Sequence, residues 1–173
     1  SELPLSLSFS EFELDGERRF IGIVRDISDR TRMEEQLRER EQRFRQVAEN
    51  IQEVVWMTDA DREDIVYVNP AFEEIWGRPV ESLHDDPDSF LEAIHPEDRD
   101  RVQAALETQG TGEYDEEYRI LRPDGEVRWI RDRAVPVSDD EGEVSRIVGI
   151  AADVTEHKEQ ERKRARIIER VTD

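Results

Sequence analysis

Cysteine is absent from this sequence of 173 residues. Its absence excludes disulfide bonds, thiolate catalysis, zinc sites with cysteine ligands and chromophores held by a cysteine. Lysine is scarce as well: the 25 basic side chains comprise 23 arginines and two lysines, Lys158 and Lys163. No apolar run approaches the length of a membrane span, and no signal peptide is recognisable. We therefore expect a cytoplasmic module without a membrane segment, although a longer parent protein could still be anchored in a membrane.

Acidic side chains dominate the charge. Asp and Glu together number 45, which gives a formal net charge of −20. Such a surface repels phosphates, so we expect no nucleic-acid partner. An acid-rich and lysine-poor surface is typical of a salt-crowded cytoplasm, where ions screen the self-repulsion of the fold. The composition therefore predicts a halophilic protein; an acidic mesophilic protein from a GC-rich genome is the alternative.

One short segment occurs twice. Gly149–Thr155 (GIAADVT) repeats Gly22–Ser28 (GIVRDIS), and each copy is followed by charge-rich helical sequence. The offset is 149 − 22 = 127 residues, which is the length of a whole domain and too long for a solenoid unit. The sequence therefore predicts one complete domain preceded by the tail of another.

The N-terminal segment has the pattern of a β-hairpin. Residues 3 to 9 alternate apolar and polar side chains, Asp15-Gly16 supplies a turn, and a second strand is predicted from Arg18 to Ile27. A lone hairpin is marginally stable in water. We therefore expect it to pack on a missing domain, a partner chain or the complete module.

A charged helix is predicted after the hairpin, because Ser28 or Asp29 can cap its start. Its large apolar residues are spaced alternately by four and three, with Arg40 at the skipped position. They are Met33, Leu37, Phe44, Val47 and Ile51. This spacing is typical of a coiled-coil seam with one polar interruption and predicts a homodimer through this linker helix. The alternative is an amphipathic helix that packs on its own domain.

Residues 47 to 155 have the size and pattern of one α+β domain. Two strands are predicted first, with Asn69 as the N-cap of the short helix that follows. Residues 80 to 98 look irregular, and a longer helix runs from about Glu97 to Thr108. Three strands at hairpin spacing complete the domain.

Six motifs of this segment occur in an order known from one family. They are Tyr67–Phe72 (YVNPAF), Ile94–Arg99 (IHPEDR), Tyr118-Arg119, Arg122–Gly125 (RPDG), Arg128-Trp129 and Gly149–Thr155. Together they resemble the PAS fold with its C-terminal PAC motif, the sensory type found in bacterial and archaeal signalling. The resemblance implies an α+β fold: a five-stranded antiparallel sheet with helices on one face, flanked by signalling helices and the N-terminal β-hairpin. With the composition, it suggests a halophilic archaeal sensor or transducer.

The resemblance also implies a division of the chain. Residues 1–28 are the terminal β-hairpin of a preceding, truncated PAS/PAC domain, and residues 29–46 are the coiled-coil-like linker. Residues 47–155 form the complete PAS/PAC domain, and residues 156–173 form the C-terminal signalling helix. The Asp-Val-Thr motif of such proteins joins the last strand to that helix. Asp153 and Thr155 occupy its positions, and Asp26 and Ser28 occupy those of the first copy.

The function implied is a signal-transduction sensor module. It would bind a small ligand, or relay a neighbouring domain's signal, through its flanking helices to a separate output domain such as a histidine kinase or transducer. The alternative is a ligand-free dimerisation and spacer domain in an array of PAS domains. No output domain follows in the sequence, so we expect no enzyme activity and no catalytic residues in this chain.

Aromatic residues on the helices and adjoining strands are the candidates for a ligand pocket, with ordinary core packing as the alternative. They are Trp56, Tyr67, Phe72, Trp76, Phe90, Tyr118 and Trp129. The cofactor is unknown. The lack of cysteine excludes a covalent flavin or thioester chromophore, and we expect no haem because His95, the one histidine near the long helix, fits a turn or cap.

Other polar clusters have simpler interpretations. His157 lacks the surroundings of a phosphoacceptor, so we expect an exposed helix residue. The acidic clusters Asp85-Asp86-Asp88 and Asp139-Asp140-Glu141 lack the spacing of a cation-binding loop. We therefore expect solvated loops there and no metal site.

Overall fold

The computed structural model describes residues 3–108 and 112–172. Positions 1, 2 and 173 of the predicted ranges, and residues 109–111 within the predicted domain, lie outside the described residues. The chain divides into two units, one up to Val47 and the other from Ala48 onward.

The first unit contains the predicted hairpin. Strand β1 (Leu5–Leu14) pairs antiparallel with β2 (Glu17–Asp26). The two turn residues, Asp15 and Gly16, have positive φ values of 54° and 78°, as the tight turn of a two-residue hairpin requires. Every residue of both strands is exposed in the single chain, although many of their side chains are large and apolar.

Helix α1 (Ser28–Glu49) follows the hairpin. Its apolar residues Met33, Leu37, Phe44 and Val47 are 46–70% exposed. The helix ends at Glu49, so Ile51, the last residue of the predicted seam, lies beyond it. The other four residues of the predicted seam lie on the helix.

The second unit consists of a five-stranded sheet and the helices that cover it. Its strands are β3 (Val54–Asp59), β4 (Ile65–Val68), β5 (Tyr114–Leu121), β6 (Val127–Ser138) and β7 (Val144–Asp153). Its helices are α2 (Ala71–Trp76), α3 (Glu81–Asp85), a 3-10 helix (Pro87–Ala93), α4 (Pro96–Glu107) and α5 (Thr155–Thr172). The strands pair antiparallel in the order β4-β3-β7-β6-β5. The predicted α+β fold is thereby confirmed.

One segment of this unit differs from the sequence-based expectation, and the cap at His95 agrees with it. The stretch predicted as irregular between residues 80 and 98 contains α3 and the 3-10 helix. His95 caps α4, since its Nδ1 accepts a hydrogen bond of 3.3 Å from the backbone N–H of Glu97.

Asn69 was predicted to cap α2, and this is wrong. Its side chain is fully buried, where its Oδ1 accepts from Val55 N at 3.0 Å. Its Nδ2 donates to the carbonyls of Ala48 at 2.8 Å and Glu53 at 3.0 Å. Asn69 therefore joins the end of α1 to the first strand of the sheet, because an amide can satisfy three buried backbone groups at once.

Candidate ligand cavity and helix junction

A cavity of about 70 Å³ lies in the second unit, between one face of the sheet and the helices packed on it. Aromatic side chains make up much of its wall: Trp56, Phe72, Trp76, Phe90 and Tyr118. The rings of Phe72 and Trp76 stack, with their centroids 5.2 Å apart. These five residues belong to the seven predicted from the sequence, and the other two lie elsewhere.

Tyr67 faces away from the cavity because of a bulge. Met57 pairs with Tyr67, but the next residue, Thr58, pairs with Ile65, so β4 carries one extra residue. Ile65 and Val68 therefore both line the cavity although they are three apart in sequence. Simple alternation along β4 would have placed Tyr67 with Ile65.

Trp129 lies on the opposite face of the sheet. Its neighbours Ile130 and Asp132 belong to the buried face of β6, and Trp129 alternates with them. Three cations lie over its ring, with centroid distances of 5.6 Å for Arg119 and 5.5 Å for both Lys158 and Arg162. Because Lys158 and Arg162 belong to α5, Trp129 holds this helix against the sheet rather than lining the cavity.

Asp132 is a cavity residue that the sequence analysis missed. It is 4% exposed and accepts hydrogen bonds from Trp56 Nε1 at 3.2 Å and from the Tyr118 hydroxyl at 3.1 Å. Burial raises the pKa of Asp132 to about 6, because desolvation of the carboxylate outweighs these two hydrogen bonds. The signal was present in the strand: Asp132 shares the alternation of Ile130 and Ala134.

Tyr118 donates a hydrogen bond to this carboxylate over the whole physiological pH range. Complete burial raises the pKa of the Tyr118 hydroxyl well above its usual value, and the nearby charge of Asp132 raises it further. The hydroxyl therefore stays protonated through the physiological range and keeps donating to Asp132.

Gly149 makes room for the indole of Trp56. A Cβ atom at this position would overlap the Trp56 ring. Gly149 pairs with Trp56 across β3 and β7, so the two residues are neighbours on adjacent strands. The glycine of the repeated segment therefore lets Trp56 reach Asp132.

Arg62 is the second charged cavity residue that the sequence analysis missed. It adopts a left-handed backbone conformation with φ of 61°. Its Nη1 donates to the carbonyl of Leu106 at 3.2 Å, and its Nη2 lies 4.0 Å from a carboxylate oxygen of Asp88. The guanidinium is thus held toward the 3-10 helix and α4, which border the cavity.

The last strand meets α5 at a helix junction, which we define as Arg128, Trp129, Asp153 and Thr155. One carboxylate oxygen of Asp153 accepts from the backbone N–H and the hydroxyl of Thr155, at 3.0 and 2.5 Å. The other accepts from Arg128 at 3.3 Å. The Thr155 hydroxyl also accepts from Trp129 N at 2.9 Å. Thr155 therefore ties α5 to β6.

Arg128 extends the helix junction toward the cavity. Its Nη1, which donates to Asp153, also lies 3.4 Å from the carbonyl oxygen of Glu74. Glu74 belongs to α2, between the cavity residues Phe72 and Trp76. A single guanidinium thus contacts both α2, which carries two cavity residues, and the last residue of β7, which precedes α5.

The first unit repeats the backbone geometry of the helix junction. Ser28 N donates to the carboxylate of Asp26 at 2.9 Å, as Thr155 N donates to Asp153. Ile27 N donates to Pro4 O at 3.2 Å, as Val154 N does to Trp129 O at 2.8 Å.

The pairing register of the two hairpins is also the same. Leu5 pairs with Asp26 and Ile130 with Asp153; Phe9 pairs with Gly22 and Ala134 with Gly149. In both hairpins the first strand is therefore offset by 125 residues (130 − 5 and 134 − 9), and the second by 127 (153 − 26 and 149 − 22).

The remaining polar clusters support local structure. Asp86 accepts from Asp88 N, and Asp139 accepts from the backbone of Glu141 and Glu143. His157 is exposed and lies 3.3 Å from Glu161. Within residues 3–108 and 112–172, no group of three or more histidine or carboxylate side chains is arranged to hold a metal ion.

The family comparison agrees with this architecture. The family described as the PAS fold matches residues 65–151, which is half of the chain. An α+β domain of this topology, with a cavity between sheet and helices, is what the sequence motifs led us to expect. The chain belongs to the PAS fold family.

The individual relatives include an uncharacterized protein and a histidine kinase. The chain is 33% identical over 150 residues to the uncharacterized protein y4lL of Sinorhizobium fredii, covering 84% of this chain and 18% of that protein. It is 39% identical over 88 residues to a blue-light-activated histidine kinase of Brucella ovis, covering 50% and 17%. The chain therefore spans less than a fifth of the length of these two curated relatives.

A solved structure covers the same region. A domain from Haloarcula marismortui, assigned to a light- and redox-sensing histidine kinase, is 33% identical with a TM-score of 0.53. It covers 66% of this chain, and the match includes 99% of that domain. In the part of the chain that is described, none of the helices combines the length and apolarity needed to cross a bilayer.

Proposed function

We propose that this chain is the sensor part of a larger signalling protein. Its cavity would respond to a small ligand, and the helix junction would pass the response to α5 and on to a separate output domain. The observation that carries the proposal is Arg128, which contacts both α2, the helix that supplies Phe72 and Trp76 to the cavity, and Asp153, which ends β7 and bonds Thr155 of α5. Similarity to a histidine kinase supports such an output.

A ligand-free dimerisation and spacer module is the second candidate. The exposed seam of α1 favours it, since Leu37 and Val47 are 68% and 65% exposed in the single chain. In this case α1 would join two copies and the cavity would be a packing defect. The two candidates differ in whether a change inside the cavity reaches α5.

We further propose that residues 1–28 end a preceding PAS domain, with 29–46 as linker, 47–155 as the complete domain and 156–173 as the signalling helix. The shared register of the two hairpins and the matching bonds of Asp26 and Asp153 support this division. The exposed apolar strands of the first hairpin would then be covered by the rest of that domain. Asp26 and Ser28 would form its helix junction.

A halophilic archaeal source is proposed from composition. The net charge of −20 and the presence of only two lysines support it. The two curated relatives come from the bacteria Sinorhizobium fredii and Brucella ovis, whereas the similar solved structure comes from the halophilic archaeon Haloarcula marismortui. Experiments on this protein would therefore be done at the high salt concentrations at which a halophile grows.

The first test removes a carboxylate from the helix junction. Asp153→Ala should cost about 1–2 kcal/mol, as expected for the loss of charge-assisted hydrogen bonds. Hydrogen exchange should accelerate in residues 155–168 far more than in residues 54–107 and 112–137. Asp139→Ala is the matched control, because Asp139 likewise accepts hydrogen bonds from nearby residues, here the backbone N–H groups of Glu141 and Glu143, but lies in the β6–β7 turn. Uniform acceleration across the domain would make Asp153 a core-stability residue instead.

The second test changes the cavity alone. Leu83 is buried in α3 and lines the cavity, so Leu83→Phe places a larger side chain there. If the domain is a sensor, Leu83→Phe should alter hydrogen exchange in the first turns of α5. Adding Asp153→Ala to this variant should abolish the alteration. Leu121→Phe, at an exposed position, is the control. An unchanged α5 in a folded Leu83→Phe variant would favour the spacer module.

A further inference from the structure

We propose that the cavity binds a small organic cation that carries an N–H donor, with Asp132 as its counter-charge. This inference rests on the proposed sensor function and names the chemical class of the ligand. It depends on three properties of the cavity: its charge, its aromatic walls and its size.

The charged groups of the wall leave a negative balance. The cavity is lined by Arg62, Asp88 and Asp132, whose formal charges sum to −1. Arg62 is directed to Leu106 and Asp88. Asp132 receives two neutral donors, and no arginine, lysine or histidine among the described residues forms an ion pair with it. A buried carboxylate without a cation is costly, so a cation that enters regains that energy.

The aromatic walls suit the same ligand. Trp56 and Tyr118 place their polar atoms on Asp132, and their rings contribute to the wall with those of Phe72 and Trp76. The faces of aromatic rings attract cations, most strongly where water is excluded. An anion would meet both the ring faces and the carboxylate unfavourably. A neutral ligand would leave the charge of Asp132 uncompensated.

The size of the cavity suits a small ligand. Its volume of about 70 Å³ is several times the roughly 10–15 Å³ that one water molecule needs. Small alkylammonium and amidinium ions therefore fit beside Asp132. The ligand class is therefore a small amine or amidine in its protonated form.

The experiment compares three probes that share one alkyl group and differ in charge. Isobutylammonium, isobutanol and isobutyrate are titrated into the full chain at pH 7.5, and the indole N–H signals of the three tryptophans are followed by NMR. Trp56 and Trp76 line the cavity, while Trp129 lies on the other face of the sheet and serves as an internal control.

Isobutylammonium should shift the signals of Trp56 and Trp76 and leave Trp129 unchanged. It should bind at least about tenfold more tightly than isobutanol, because only the amine pairs with Asp132. Isobutyrate should not bind. In Asp132→Asn the preference for the amine over the alcohol should disappear. If that variant does not fold, the comparison of amine and alcohol in the wild-type chain decides alone.

Two results would overturn the proposal. Equal affinity for amine and alcohol would make the cavity a site for neutral ligands, and the sensor function would stand. Cavity tryptophans that respond to none of the probes would exclude the small cation as ligand. The sensor function is judged separately, by whether Leu83→Phe changes hydrogen exchange in α5.

Discussion

Asp132 is a buried carboxyl group, and its burial disfavours the charged form. It is buried on β6, its two hydrogen-bond donors are neutral, and its pKa rises to about 6. A carboxylate in such a place lowers stability at neutral pH unless something compensates its charge. Its position beside the cavity is therefore easier to understand as a recognition group than as a structural one.

The pH dependence of stability should reveal this carboxylate. The folded-state pKa of about 6 lies above the usual 3.8, so its contribution to stability falls as pH rises from about 4 to 6. A shift of this size corresponds to about 3 kcal/mol. Denaturant unfolding should show Asp132→Asn gaining this amount over the wild-type chain between pH 4 and 7. Trp56 and Tyr118 donate directly to the carboxylate, and Tyr114 is close enough for the charge of Asp132 to raise its pKa.

Asp98→Asn is the matched control for that titration. Arg119 lowers the pKa of Asp98 to about 2, so this carboxylate is ionised throughout the window. Its variant should lose a constant amount of stability from pH 5 to 7. A parallel pH profile for both variants would mean that Asp132 has an ordinary pKa.

Gly149 offers a second prediction at the scale of one residue. Gly149→Ala should push the Trp56 ring away and break the hydrogen bond from Trp56 Nε1 to Asp132. The free energy of unfolding should fall by about 1–3 kcal/mol, as in other overpacked cores. Thermal unfolding measures the cost, and the indole N–H signal of Trp56 reports the displaced ring. Gly112→Ala is the control, because no atom lies within 4 Å of the Cβ it would add. Equal stability of the two variants would contradict the close approach.

At the scale of elements, α1 and α5 are the parts through which this domain would communicate. The end of α1 is joined to the sheet by Asn69, which donates to Ala48 O, and the start of α5 is joined to it by Thr155. Each joint is a hydrogen bond between a polar side chain and the backbone: Asn69 donates at the first, and Thr155 accepts at the second. We expect these bonds to carry a change in the sheet to the end of α1 and the start of α5.

Dimerisation through α1 is a prediction at this scale. Leu37→Glu combined with Phe44→Glu should give a monomer in sedimentation experiments, because each large side chain buried in a dimer contributes about 1.5–3 kcal/mol. Gln42→Glu combined with Gln46→Glu adds the same charge on the side of α1 away from the seam and should leave a dimer. An unchanged dimer in the first variant would move the interface to another surface.

Sequence patterns predicted the elements better than the directions of their side chains. Turn signals such as Pro123-Asp124-Gly125 and alternating strands gave the hairpins and the five-stranded sheet. Tyr67 was misplaced because the bulge in β4 interrupts the alternation, and no local signal marks it. Trp129 was misplaced because an aromatic residue suits either face of a sheet. Asp132 was not predicted because it is one of 45 acidic residues, so its position in the strand did not stand out.

At the scale of the whole molecule, the net charge of −20 sets the response to salt. The thermal midpoint should rise from low to molar KCl as ions screen the repulsion between carboxylates. Each 1 kcal/mol of stability gained by this screening should raise the thermal midpoint by roughly 2–4 °C for a chain of this length. A variant with Asp140→Asn and Glu141→Gln, in the exposed β6–β7 turn, should rise less. A flat or falling midpoint in the wild-type chain would contradict a halophilic adaptation.

The scarcity of lysine has a practical consequence at the helix junction. Both lysines belong to α5, and Lys158 packs over Trp129 and pairs with Glu117, whereas Lys163 is exposed. Amine-directed acylation of side chains is therefore confined to this one helix. The reactivity of Lys158 relative to Lys163 measures how often α5 lifts from the sheet, with both amines in the same molecule.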